Sequence, residues 1–303
     1  MFAAMKFRLL FAALLASVSL LIASCQKPPA ENPSAEKFPA VYEVKGVVRA
    51  LMPEKKEVTI AHEEIPGYMV AMTMDFAVTN AAELTGLMPG DSVTFRMTVT
   101  KDDGWIDQIK RTGVTNAPPP PPAETFRRAR EVEPLVVGDT VPEYTFTNEL
   151  GRLVRLTEMK GTAYALNFIF TRCPFPTFCP RASKSFSETQ DKLKSMNGPT
   201  NWHLFSITID PAYDTLPRLK GYAKTYGADG SRWNFLTGDL EDITAIAEQF
   251  GLQFWRETPD ALPFHNLRTV VIDAAGRVQW VTMQEDWSAD AMVEQMVKAA
   301  QVR

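Results

Sequence analysis

Cysteine and histidine are scarce, with three of each in 303 residues. That scarcity excludes a disulfide-stapled miniprotein, which is cysteine-dense. Any metal or redox chemistry must then be carried by a few identifiable side chains. Positive charge is also short: 32 Lys plus Arg face 36 Asp plus Glu, a net charge of −4. Such a balance gives no reason to expect a nucleic-acid partner, whose binders need a basic face. Beyond the first two dozen residues no apolar run reaches the roughly 20 residues that cross a bilayer, which excludes a polytopic membrane protein. The 16 Gly and 22 Pro follow no collagen period, and no internal repeat is visible. What the chain does have is 45% hydrophobic residues, enough to build real cores. At about 150 residues per domain, its length predicts two domains.

The first 25 residues, MFAAMKFRLLFAALLASVSLLIASC, place Lys6 and Arg8 ahead of an apolar run over 9–23. The run is short for a spanning helix and predicts a secretory signal. Its end, LIASC, resembles a bacterial lipobox. The resemblance implies a signal peptide over 1–24, lipidation of Cys25, and a membrane-anchored lipoprotein facing the periplasm. The polar, Pro-rich segment 25–38 reads as a solvated tether. Outside the cytoplasm thiols oxidise unless something reduces or metallates them. With Cys25 taken by lipid, two cysteines remain, Cys173 and Cys179.

Five consecutive prolines at 118–122 mark a Pro-rich linker over 115–132. Such a run forms a polyproline II rod of about 3 Å per residue and reads as a spacer. It separates 39–114 from 133–303. The first part alternates as short strands at 41–51, 57–61, 72–78, 91–100 and 105–111, with turn signals PEKK at 53–56 and KDDG at 101–104. Five strands in so short a segment predict a small all-β barrel of the OB type. The second part predicts strands at 163–170, 203–209 and 233–236, with helices at 180–196, 216–226 and 240–250 between and after them. A hairpin over 268–273 and 277–283 and a terminal helix over 288–301 complete it. That order predicts an α/β domain of thioredoxin-like type.

The chemistry of the second part lies in the string FTRCPFPTFCP at 170–180. Cys173 follows a buried strand and Cys179 precedes a helix. Backbone donors and the dipole at a helix start favour an anion there, so the thiolate is expected at Cys179. Five intervening residues can loop back and bring both sulfurs together, either to close a disulfide or to clamp a soft cation such as Cu(I). His265, in LPFHNL at 262–267, lies just before the strand at 268–273. In a thioredoxin-like fold that turn comes near the cysteine loop, and a neutral imidazole would complete a Cys₂His site. Asp210, in the strand-end turn Asp210-Pro211, is a candidate for an accessory role near the site. His203 opens a strand beside Trp202 and reads as a structural or edge residue.

In the first part, HEEIPGYMVAMTMDF spans 62–76. Met72 and Met74, two apart on a strand, share a face. His62 closes the preceding strand, and Pro66-Gly67 lets the chain fold back. A methionine pair alone is equally a filler of core gaps. With His62 at this spacing, one imidazole and two thioethers make a soft site suited to Cu(I) or Ag(I).

From about residue 133 to 300 the chain resembles the SCO/SenC family of copper proteins. The resemblance rests on GDTVP at 138–142, NFIFTRC at 167–173, SITIDP at 206–211, Asp214-Thr215, YAKTYG at 222–227, LTG at 236–238, and His265 ahead of TVVID at 269–273. It implies copper held by Cys173, Cys179 and His265. It also implies delivery to the CuA site of cytochrome c oxidase or to another copper client protein. The usual family motif has three residues between the cysteines; this chain has five, with Pro174 and Pro176 among them, in the pattern CPxPxxCP. Residues 62–76 resemble the CusF family of periplasmic copper and silver carriers, whose ligands are a His and an M-x-M pair. His62, Met72 and Met74 match that pattern. Where that family commonly carries a Trp over the metal, this chain has Met69 after Tyr68, a further ligand or a lid.

The expected function is therefore a membrane-tethered periplasmic copper chaperone with two soft sites. The alternative is a thiol-disulfide oxidoreductase that uses Cys173 and Cys179 to reduce a client's cysteines. A copper buffer conferring metal resistance would use the same residues.

Overall fold

The computed structural model describes residues 38–115, 131–256, 261–283 and 288–302. The expected signal peptide, the Cys25 lipidation site, most of the tether and the polyproline rod lie outside the described residues. Among the described residues, no helix is long and apolar enough to cross a membrane.

The first five strands are β1 (Ala40–Met52), β2 (Glu57–His62), β3 (Met72–Ala77), β4 (Asp91–Val99) and β5 (Gly104–Val114). They form one antiparallel sheet in the order β3-β2-β1-β4-β5. β1 is long enough to pair with both β2 and β4, and a register shift between Val48 and Ala50 bends it. Val78, just past β3, bridges to Ile106 of β5 and brings the two edges together, so the sheet curls into a barrel. The side chains at alternate positions of β4 point inward. Val48, Val58, Ile60, Phe76, Phe95, Met97 and Ile106 fill the interior, each at 1% exposure or less.

The second sheet has seven strands: β6 (Thr145–Asn148), β7 (Leu153–Arg155), β8 (Ala163–Ile169), β9 (Trp202–Thr208), β10 (Trp233–Thr237), β13 (Arg268–Ile272) and β14 (Val278–Met283). Two short strands, β11 (Phe254–Trp255) and β12 (Phe264–His265), pair with each other beside it. Four helices, α1 (Cys179–Ser195), α2 (Leu216–Thr225), α3 (Leu240–Gln249) and α4 (Ala289–Gln301), complete the domain. The sheet order is β14-β13-β8-β9-β10-β6-β7, with β8, β9 and β10 parallel and the outer pairs antiparallel. All seven residues of β8 are buried, as a central strand covered on both faces requires. This is the thioredoxin-like arrangement expected from the sequence. The β6–β7 hairpin, which extends the sheet beyond β10, was not expected. Strands of four and three residues are too short to carry a readable period.

Candidate metal centre

The segment leading into Cys173 is held by two buried carboxylates. Asp214 accepts hydrogen bonds from the Thr171 backbone N–H at 3.0 Å, from the Thr208 hydroxyl at 2.5 Å, and from the Thr171 hydroxyl. Burial pushes its carboxyl above the usual range, and these donors offset part of that rise. Asp210 is 1% exposed and bridges two guanidiniums, Arg172 at 2.9 Å and Arg256 at 2.6 Å. It thereby ties the residue before Cys173 to the segment carrying β11 and β12. Its role is positioning: both oxygens are engaged by arginine. No local sequence signal marks Asp214 for this role, because its burial beside the cysteine loop arises only in the fold.

Cys179 opens α1 and is fully buried, while Cys173 is half-buried; both are free thiols. His265 sits in β12, paired with Phe254 of β11. Its Nε2 lies 3.5 Å from the Cys179 Sγ. Its Nδ1 lies 2.8 Å from the Asn266 carbonyl oxygen. That oxygen can only accept, so Nδ1 carries the proton and Nε2 presents its lone pair to the sulfur. Burial lowers the His265 pKa to about 4, against a small opposing effect of the Asn266 contact, so the ring is neutral at pH 7. The rings of Phe170 and Phe178 meet the imidazole edge-on at centroid distances of 5.5 and 6.4 Å. The site is walled by apolar surface.

The two thiols interact directly. Burial pushes the Cys173 thiol up, but its interactions with Cys179 and with the Phe175 backbone outweigh that and set it below its ordinary value; the thiol itself donates a long contact of 3.9 Å to the Phe175 carbonyl. Burial, followed by the neighbouring Cys173, pushes Cys179 well above its own. Of the two thiols Cys173 is the more readily ionised, the opposite order to the one the helix start suggests. Burial raises both thiols, and their mutual interaction lowers Cys173 while raising Cys179 further. Among the described residues, no three His, Cys, Asp or Glu side chains are already closed around one point. Cys179 and His265 are in contact, and Cys173 joins them through Cys179. Two soft sulfurs and one neutral imidazole fit a monovalent copper ion.

The barrel places the second set of candidates on adjacent strands. His62 of β2 stands opposite Met72 of β3, and Ile60 stands opposite Met74. His62, Met72 and Met74 are all buried. The His62 Nδ1 lies 2.7 Å from the Glu63 carbonyl oxygen, the same use of the next residue's carbonyl as at His265, and it likewise leaves Nε2 as the lone-pair nitrogen. Met69 is buried in a tight turn, where its backbone exchanges two hydrogen bonds with Ile65. His203 bonds Asn234 at 2.9 Å and packs on Phe205. It belongs to β9, an interior strand, and so is structural but not on an edge.

The two sets do not stand apart. Met72 and Met74 line one small cavity together with Cys173, His265 and the rings around them. Its volume is about 20 Å³, room for one water-sized occupant. Phe175, from between the cysteines, plugs into the barrel mouth at 3% exposure. It meets the Phe76 ring at 6.1 Å and packs on the backbone of Gly104, where a Cβ would stand 2.7 Å from its ring. The Tyr68 hydroxyl donates to the Pro174 carbonyl at 3.2 Å, and Lys184 pairs with Asp102 at 2.8 Å.

The SCO1/SenC family profile matches residues 134–301, and that of the copper binding periplasmic protein CusF matches residues 41–111. A SCO1 protein homolog of Bacillus subtilis is 36% identical over 116 residues, 38% of this chain and 56% of the relative. The match thus spans little more than half of that relative's length. A solved structure described as a disulfide switch in BsSco, a member of the Sco family of cytochrome c oxidase assembly proteins, is 25% identical. It covers 57% of this chain and 99% of its own, with a TM-score of 0.48. Copper-bound ScoI of Arabidopsis thaliana is 22% identical, covers 53% of this chain and 98% of its own, and has a TM-score of 0.46.

Proposed function

Because this chain belongs to the SCO1/SenC family and carries a CusF-like copper-binding domain, we propose that it is a copper chaperone of the cell envelope. In this reading it is anchored through lipid on Cys25 and holds Cu(I) on Cys173, Cys179 and His265. The observation that carries the reading is the 3.5 Å approach of the His265 Nε2 to the Cys179 sulfur, with the ring held neutral and its other nitrogen occupied by the Asn266 carbonyl. Each thiol releases one proton to solvent as it takes the metal, and His265 binds without losing one. Release to a client proceeds by exchange of ligands. The client in this reading is a cytochrome c oxidase subunit or another copper protein, as membership of the SCO1/SenC family suggests. His62, Met72 and Met74 supply a second, neutral donor set suited to the same ion.

A second reading is favoured by the asymmetry of the thiols. Cys173 is the more acidic and more exposed, and Cys179 is buried behind it. In a thiol-disulfide exchange, Cys173 thiolate attacks a client disulfide and expels one client thiolate. Cys179 then attacks the Cys173 sulfur, and the second client thiol leaves as the Cys173–Cys179 disulfide forms. Two electrons pass to the client. The variant His265→Ala separates the readings. As a chaperone, the chain loses more than about tenfold in Cu(I) affinity, measured by competition with a chromophoric chelator, while disulfide exchange survives. Unchanged Cu(I) affinity would sink the three-ligand assignment.

A further inference from the structure

Two soft donor sets on one chain would ordinarily be two sites. Here their walls are shared. The thioethers of Met72 and Met74 line the same 20 Å³ cavity as Cys173 and His265, and its remaining lining is aromatic and proline carbon. The pocket admits one water-sized occupant, so an ion that enters it meets donors of both sets. The seating of the cysteine loop on the barrel is what brings both donor sets to this pocket. Phe175 fills the barrel mouth against Phe76 and Gly104, and the Tyr68 hydroxyl fixes the Pro174 carbonyl of the same loop.

We propose that the docked chain holds one Cu(I) in a composite site between the two ligand sets, with Met72 and Met74 on one wall and Cys173 and His265, backed by Cys179, on the other. The site rests on the copper reading above and adds to it a route. Copper passes from thioether to thiolate within the one pocket. Copper remains Cu(I) and no electron moves. Each Cu–S(Met) bond that breaks is replaced by a Cu–S(Cys) or Cu–N bond. The thioethers leave neutral, and each cysteine that takes the ion gives its proton to solvent. A neutral donor set facing an anionic one sets the direction, because thiolate binds Cu(I) more strongly than thioether does.

The test uses the full chain with Cys25→Ser and with selenomethionine at every methionine. Sulfur can then come only from Cys173 and Cys179, and selenium only from methionine. The probe is one equivalent of Cu(I), read by X-ray absorption at the copper edge, together with the tight-binding capacity. The expected result is a selenium shell and a sulfur shell at the first equivalent, with a capacity of one. Gly104→Val carries no ligand change but drives side-chain carbon into the Phe175 ring. It should abolish the selenium shell at one equivalent and raise the capacity to two. Phe175→Ala, which removes the plug without adding bulk, should do the same and serves if Gly104→Val does not fold by circular dichroism. Identical shells and capacity in parent and undocked variants would overturn the composite site and leave two independent ones. A first equivalent in the parent with sulfur but no selenium would also overturn it while leaving the chaperone reading intact. Absence of any cysteine sulfur shell in all proteins would refute the chaperone reading itself.

Discussion

Acidifying the metal-free chain should destabilise it through one imidazole. His265 is 5% exposed and its burial lowers its pKa to about 4, whereas an unfolded histidine titrates near about 6.5. Between those values the unfolded chain holds a proton that the folded chain lacks. Stability rises with pH wherever the unfolded state binds more protons, so it falls as pH drops through this window. At about 1.4 kcal/mol per pH unit, the whole window is worth roughly 3 kcal/mol. From pH 7 to pH 4.5 the share is roughly 2 kcal/mol, because the folded ring is still largely neutral at the lower pH. The assay is urea unfolding at both pH values with copper excluded by a chelator, for the parent and for His265→Gln, whose side chain does not titrate. His203, also lowered by burial, is present in both proteins and cancels. The parent should lose about 2 kcal/mol more than the variant. Equal losses would refute the claim that His265 is held buried and neutral.

Two further outcomes follow from packing and from the thiol pair. Phe76→Ala removes a fully buried ring that touches His62, Phe95 and Phe175; it should cost about 3 to 5 kcal/mol in denaturant unfolding, and a loss below about 1 kcal/mol would deny the ring its central place. Iodoacetamide at neutral pH should modify Cys173 of the reduced, metal-free chain faster than Cys179, as read by peptide mass spectrometry; equal rates, or the reverse order, would return the thiolate to the helix start.

Much of this architecture can be read before any coordinates. The period-2 alternation of β4 and the Asp-Gly turn before β5 announce the barrel. The glycines that stop α2 and α3, Gly227 and Gly251, both adopt positive φ, as helix ends favour. His265 was legible as a neighbour of the cysteine loop because a thioredoxin-like order brings that turn close. The pairing of β11 with β12 that holds it there was not, since two-residue strands leave no pattern. The helix start at Cys179 is visible in sequence and points the charge there, whereas the burial and the neighbouring thiol that push Cys179 upward are visible only in the fold. The meeting of the two donor sets was illegible for a different reason. It depends on a phenylalanine finding the bare backbone of a glycine 71 positions earlier in the chain, and nothing local to either residue encodes that.

The seating of Phe175 in the barrel mouth has a consequence for any outside protein that needs to reach Cys173. The surface it would have to grip is already occupied by a rival on the same polypeptide, which never diffuses away. Its measured affinity is therefore its intrinsic one scaled down by the fraction of time the barrel is away. A visitor that competes poorly leaves the cargo where it is, and one that competes well uncovers the thiols by arriving.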